Sequence, residues 1–337
     1  MRIAQVMAGG AEGADLFFER MTLALAEAGE TVLPVVREDD GRGGRLINAG
    51  MRPVQLRFGG ALDLVTQPKM AGILRRFKAE LAVAWTSRAA VKLPRGDWVN
   101  VGRVGLHDDL THFSTCDFLV GQSPGLVERT KWPAARVKYL PRFVDDFVDE
   151  EAVPRASIGV PEDANVMVGV GRLEAGNGFD IVIRAAALLP EVHCVIAGEG
   201  PERARLEALI AELKVGGRVK LLGWRSDMGA LLKCGDIFVS AARRELAGEQ
   251  VLAAFGAQIP VLATKALGAD EVIRDGVDGV LVPVDDVAAV AVAARAMVGD
   301  VRLRVRLALA ARQRFAAEFS KEVALAQWLD FFRAVRG

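Results

Sequence analysis

The sequence predicts an α/β protein made of two doubly wound parallel sheets, each covered by helices, with the two domains facing a cleft. Three observations predict it. The chain has 337 residues, and at about 100–200 residues per domain that length fits two. Short apolar runs alternate with amphipathic helical stretches along its length, the pattern of parallel strands joined by helices. Residues 144–161 interrupt this alternation with Asp145, Asp146, Asp149, Glu150, Glu151, Pro154 and Pro161 and no clean periodicity. They read as an interdomain linker. Domains are therefore expected over 1–150 and 151–320, followed by a last helix over 321–337.

Each element has its own warrant. Residues 3–7 form an apolar strand that runs into the loop Gly9-Gly10-Ala11-Glu12-Gly13. A helix follows, with Phe17, Met21, Leu25 and Ala28 on one face and Gly29 as its stop. Residues 31–36 are the next strand. Residues 37–44 hold two Arg, two Asp, one Glu and three Gly, so a polar loop is expected. Further strands are expected at 56–58, 81–85, 98–101, 118–121 and 137–140, the last ended by Pro141. In the second half, the strand 166–170 leads into Gly171-Arg172, and a helix covers 179–189. The strand 192–197 ends at Gly198-Glu199-Gly200-Pro201, where Pro201 suits the first turn of a helix reaching Gly216. The strand 219–222 leads to Gly223-Trp224-Arg225, and 237–240 leads to Arg243-Arg244-Glu245. Strands at 261–263 and 280–282 and helices over 288–297, 302–315 and 321–335 complete the pattern.

Composition narrows the function. Lys plus Arg number 43 and Asp plus Glu number 43, so the net charge is zero. A nucleic-acid partner is not expected without a basic excess. Cys116, Cys194 and Cys234 lie far apart, without metal-ligand spacing, which fits a reducing compartment rather than a disulfide scaffold. The first apolar run is too short for a signal-peptide core. No stretch approaches the ~18 uninterrupted apolar residues of a membrane span. A cytoplasmic protein is expected. The basic cluster Arg75-Arg76-Phe77-Lys78 on an amphipathic stretch leaves peripheral contact with an anionic membrane open.

In open α/β sheets, ligands bind beyond the carboxyl ends of the strands. In the second half those ends carry Gly171-Arg172, Gly198-Glu199-Gly200, Gly223-Trp224-Arg225, and Glu245 with Gly248. Glycines admit a ligand close to the backbone, helix N-termini attract phosphate, and Arg172 offers a bidentate fork. Together these suit a nucleoside diphosphate. No Asp-x-Asp triplet occurs, and neither a metal nor another cofactor is expected. In the first half, His107 and Arg103 are the polar candidates, Arg103 for an acidic acceptor group. His112 and His193 read as structural.

The ordered motifs carry a resemblance. Gly171-Arg172-Leu173, Gly178-Phe179-Asp180, Gly198-Glu199-Gly200-Pro201 and Leu222-Gly223-Trp224-Arg225-Ser226-Asp227 begin the series. Pro260-Val261-Leu262-Ala263-Thr264, residues 268–276 and Gly279-Val280-Leu281-Val282-Pro283 continue it. Together they resemble the donor half of the retaining glycosyltransferases of family 4, and the resemblance covers most of residues 165–335. The first half resembles members that build bacterial cell-surface polysaccharide. The resemblance implies a GT-B fold whose last helix returns to the first domain. It also implies a nucleotide-sugar donor, a glycan or lipid-linked acceptor, and transfer without a metal.

Residue by residue, the resemblance implies that Arg172 holds the diphosphate and Glu245 orients the donor sugar. It places His107 near that sugar. Gly248, Glu249 and Gln250 support sugar or phosphate at a helix start. Gly198, Glu199, Gly200, Trp224 and Arg225 frame the nucleoside, and Gly9, Gly10 and Gly13 let donor and acceptor meet. Two positions depart from the family. Asn177 stands where a lysine usually grips the diphosphate, and Ala253 stands where a glutamate usually binds the ribose. Glu249, Lys265 and Arg243 are the candidates to compensate. The alternative reading is a non-catalytic GT-B protein that binds or scaffolds.

Overall fold

The computed structural model describes residues 1–9, 12–38, 41–60, 63–105, 108–243 and 248–336. The chain divides into two compact units. One is Met1–Phe143 with Lys321–Gly337, and the other is Val144–Ser320.

The first unit holds β1 (Arg2–Met7), β2 (Thr31–Arg37), β3 (Val54–Leu56), β4 (Leu81–Ala84), β5 (Val99–Val104), β6 (Phe118–Gly121) and β7 (Val137–Tyr139). They form one parallel sheet in the order β3-β2-β1-β4-β5-β6-β7. The second unit holds β8 (Asn165–Val170), β9 (Val192–Ala197), β10 (Val219–Gly223), β11 (Ile237–Ser240), β12 (Val261–Thr264) and β13 (Val280–Val282). Its parallel sheet runs β10-β9-β8-β11-β12-β13. Both orders reverse direction beside their first strand, which is the doubly wound topology the alternation predicts. Its strands read as continuous apolar runs because helices cover both faces, and β4 is buried at every position.

The helix Glu12–Glu27 buries Phe17, Phe18, Met21 and Leu25, at the helical spacing read from the sequence. Gly29 follows with φ +85°, a left-handed stop. The helix Lys321–Arg336 joins this same core through Ala324, Trp328, Phe331 and Phe332. The Trp328 ring stacks on Trp85 at 5.9 Å, and its indole N–H donates to the Pro141 carbonyl at 3.0 Å.

Four segments differ from the sequence reading. The third strand covers Val54–Leu56 rather than 56–58, because Phe58 takes a left-handed backbone at φ +43°. The fifth strand extends through Gly102-Arg103 to Val104, and Phe113 fills the room an absent Cβ leaves at Gly102. Part of the expected polar loop 37–44 opens a helix, Arg42–Asn48, that buries Leu46. The expected linker is not loose. Val144, Phe147, Val153, Ile158 and Val160 are buried in the core of the second unit, while its carboxylates stay at the surface or half-buried. Their irregular spacing hid this role. All three cysteines are unpaired and buried, and burial pushes the Cys116 thiol up to about 12.

Candidate functional site

The second sheet reverses its order between β8 and β11, so a ligand crevice is expected beyond the carboxyl ends of these strands. The backbone there is drawn in very tightly. A Cβ on Gly198 would lie 1.8 Å from the Gly171 carbonyl oxygen. A Cβ on Gly178 (φ +66°) would lie 1.9 Å from the Ala241 carbonyl oxygen. Only glycine permits either approach. The loop after β8 is laced to the loop after β9 by Gly171 N–H to Ala197 O at 3.0 Å and Leu173 N–H to Glu199 O at 2.9 Å. Gly198 N–H donates in turn to Gly223 O at 2.8 Å, which extends the lacing to the end of β10.

On this scaffold Arg172 is half-exposed, and its Nε lies 3.8 Å from a Glu174 carboxylate oxygen. The Asn177 side-chain amide donates to the Arg172 carbonyl at 2.8 Å, so it shapes the loop around Arg172. Glu199, in the loop after β9, pairs at 2.7 Å with Arg203 at the start of the helix Arg203–Glu212. Trp224 directly follows β10 and is 74% exposed, the most open aromatic surface at these strand ends. The neighbouring Arg225 is spent on Asp227, with Nε 2.8 Å from the carboxylate. Gly248 (φ +57°) caps the helix Glu249–Gly256, placing Glu249 and Gln250 half-buried in its first turn. Ala253 is 1% exposed and packs in the core of the second unit.

Of the candidates to replace the missing lysine, Arg243 is fully engaged. Its guanidinium takes both Asp180 carboxylate oxygens at 2.9 Å, Asp285 at 2.6 Å and the Ala175 carbonyl at 2.7 Å. Its backbone N–H donates to Gly176 O at 2.7 Å. The Asp180 hydrogen bonds hold the guanidinium above its ordinary pKa despite burial. Burial pushes the Asp180 carboxyl up, but Arg243 outweighs it and holds the group below the usual carboxylate range. Asp285 accepts φ +60° to reach this cluster. Lys265 lies 4.0 Å from Asp275.

The sequence motifs contained Asp180 but assigned it no role, and Asp285 carried no signal. Their partnership with Arg243 spans 63 and 42 residues, which no local pattern reveals. Glu245, His107 and Gly10 lie outside the described residues. In the first unit, Gly9 (φ +66°) closes the end of β1, and Gly13 falls in the helix Glu12–Glu27. Arg103 belongs to β5 rather than to a loop. It is 3% exposed, with its guanidinium over the rings of Phe17 and Trp85 at 5.5 and 5.1 Å. There it packs against the aromatic core of its own unit.

Comparison with known proteins supplies the class. Residues 151–314 match the family model described as Glycosyl transferases group 1. The chain is 32% identical over 334 residues to LpsE of Rhizobium meliloti (strain 1021), a lipopolysaccharide core biosynthesis glycosyltransferase, covering 96% of each. The chain belongs to the group 1 glycosyltransferases. LpsD of the same organism, likewise described, is 28% identical with 98% of each chain covered. Among solved structures, Anabaena Alr3699/HepE in complex with UDP superposes with TM-score 0.87 at 20% identity, covering 99% of this chain and 100% of that one. WaaG, a glycosyltransferase involved in lipopolysaccharide biosynthesis, gives TM-score 0.70 at 18% identity over 98% of both chains. The fold is GT-B.

Proposed function

We propose that this protein is a family 4 hexosyltransferase that moves a sugar, with retention, from a nucleotide-sugar donor to a lipopolysaccharide core or related cell-envelope glycan. The observation that carries the donor half is the glycine-shaped convergence of the loops after β8, β9 and β10 around Arg172. Such a cradle leaves little bulk between a diphosphate and the backbone, and Arg172 supplies the fork that binds it. Full-length similarity to two lipopolysaccharide core glycosyltransferases supports the acceptor half.

In this reading Arg172 neutralises the leaving diphosphate, Glu245 orients the sugar, and His107 acts near that donor sugar. Trp224 offers its open face to the base. The reaction needs charge placed where the diphosphate departs and an acceptor hydroxyl held in line, and it is proposed to run without metal. The protein works in the cytoplasm. No helix among the described residues is long and apolar enough to cross a membrane. The exposed Arg75, Arg76 and Lys78, at the end of the helix Thr66–Phe77, would hold it against anionic lipid at the inner membrane face.

Mass-spectrometric turnover of a panel of nucleotide sugars tests this. Loss of one charged phosphate contact is worth about 1.5–3 kcal/mol, so Arg172→Ala should weaken donor use about ten- to a hundred-fold. Wild-type rates in that variant would sink the assignment of Arg172. A wild-type protein that binds no donor would favour the non-catalytic alternative.

A further inference from the structure

We propose that Arg243 is a positioning residue for donor binding, a strut whose guanidinium fixes the loop after β8 against the loop after β11. The proposal rests on the reading of a nucleotide-sugar site given above. Arg243 sits on the β11 loop, immediately before the segment that carries Glu245. From there it grips the Ala175 and Gly176 carbonyls, in the turn that follows Arg172. It also holds Asp180, in the first turn of the helix Phe179–Ala187, and Asp285, beyond the end of β13. One side chain thus ties three strand-end loops. Thr264 adds a fourth tie, its hydroxyl donating to the Ala242 carbonyl at 2.5 Å.

The geometry requires arginine. A planar fork meets a bidentate carboxylate, a second carboxylate and a carbonyl at once, whereas an ammonium is a single point. The charge also matters. One guanidinium stands between two carboxylates, so its removal takes from Asp180 and Asp285 the cation they directly bond, beside the loop that would receive an anionic ligand. With Asn177 in place of a lysine, that loop has no side-chain cation at that position, and its shape depends more heavily on this strut.

Titration calorimetry with UDP, GDP, ADP, CDP and dTDP tests the role. Wild type should bind at least one of them. Arg243→Ala should weaken that binding at least ten-fold, and Arg243→Lys should recover only part. Asp180→Asn should weaken it at least three-fold, and the double variant should bind no worse than Arg243→Ala, because the two residues act as one unit. Arg218→Ala is the structural comparison. Arg218 holds the Ala186, Ala187, Leu189 and Val192 carbonyls at the amino end of β10. Its loss should lower the melting temperature but leave the dissociation constant within two-fold. Should Arg243→Ala fail to fold, Asp180→Asn decides. Binding within two-fold of wild type in a folded Arg243→Ala or, failing that, in Asp180→Asn overturns the proposal, as does equal weakening by Arg218→Ala. If wild type binds none of the five, the nucleotide reading itself falls and the strut role falls with it.

Discussion

Gly178 and Gly29 offer a controlled measure of how tightly the strand-end loops are drawn together. Both have left-handed backbones, at φ +66° and +85°. A Cβ at Gly29 meets nothing within 4 Å, whereas one at Gly178 lies 1.9 Å from the Ala241 oxygen and 2.7 Å from its carbon. Alanine at either position carries left-handed strain of about 1–2 kcal/mol. At Gly178 the backbone must also retreat by about 1 Å, and such overpacking adds about 1–3 kcal/mol. The totals are about 1–2 kcal/mol for Gly29→Ala and about 2–5 kcal/mol for Gly178→Ala. For units of this size, each kcal/mol moves the midpoint by about 2–4 °C. Calorimetric scans should therefore show a drop of about 2–8 °C for Gly29→Ala and about 4–20 °C for Gly178→Ala, each in the transition of the unit that carries it. If Gly178→Ala loses no more than Gly29→Ala, the close approach of the two loops is not what the glycine serves.

Trp328→Ala removes a buried indole, its stack on Trp85 and its bond to Pro141. It should destabilise the first unit by about 3–5 kcal/mol, read as an earlier transition in the same scans. For pH, burial raises the Asp146 carboxyl but its bonds to Arg312 outweigh that and hold it low. A depressed native pKa means the unfolded chain binds the proton first. The stabilisation is therefore complete above the ordinary carboxylate range and drains away as pH falls through the native value. Asp146→Asn should flatten the acid limb of a melting-temperature profile and leave its slope at neutral pH unchanged.

The strands were readable because parallel strands buried on both faces are unbroken apolar runs, and β9, β11 and β13 start and stop where those runs do. The glycine turns were readable too, since each sits where a strand ends. What stayed hidden depends on partners far away in the chain. Arg103 followed by a polar loop reads as a surface residue until Phe17 and Trp85 cover it. The apolar residues of 144–161 follow no helix or strand period, so their burial could not be read from periodicity. Asn177 reads as a lost charge, yet its amide has a local task in bonding the Arg172 carbonyl. Arg243 reads as a spare cation until Asp180 and Asp285 claim it.

The return of the helix Lys321–Arg336 to the first unit has a consequence for biogenesis. The second unit is synthesised in full before Trp328, Phe331 and Phe332, so the first still waits for them. The unit synthesised first is thus the last to be completed, and until then its nascent form leaves Trp85 and Phe17 without the rings that cover them. Translation has to carry an unfinished hydrophobic surface through the whole of the second unit's synthesis, the interval in which chaperone contact and misassembly compete with folding.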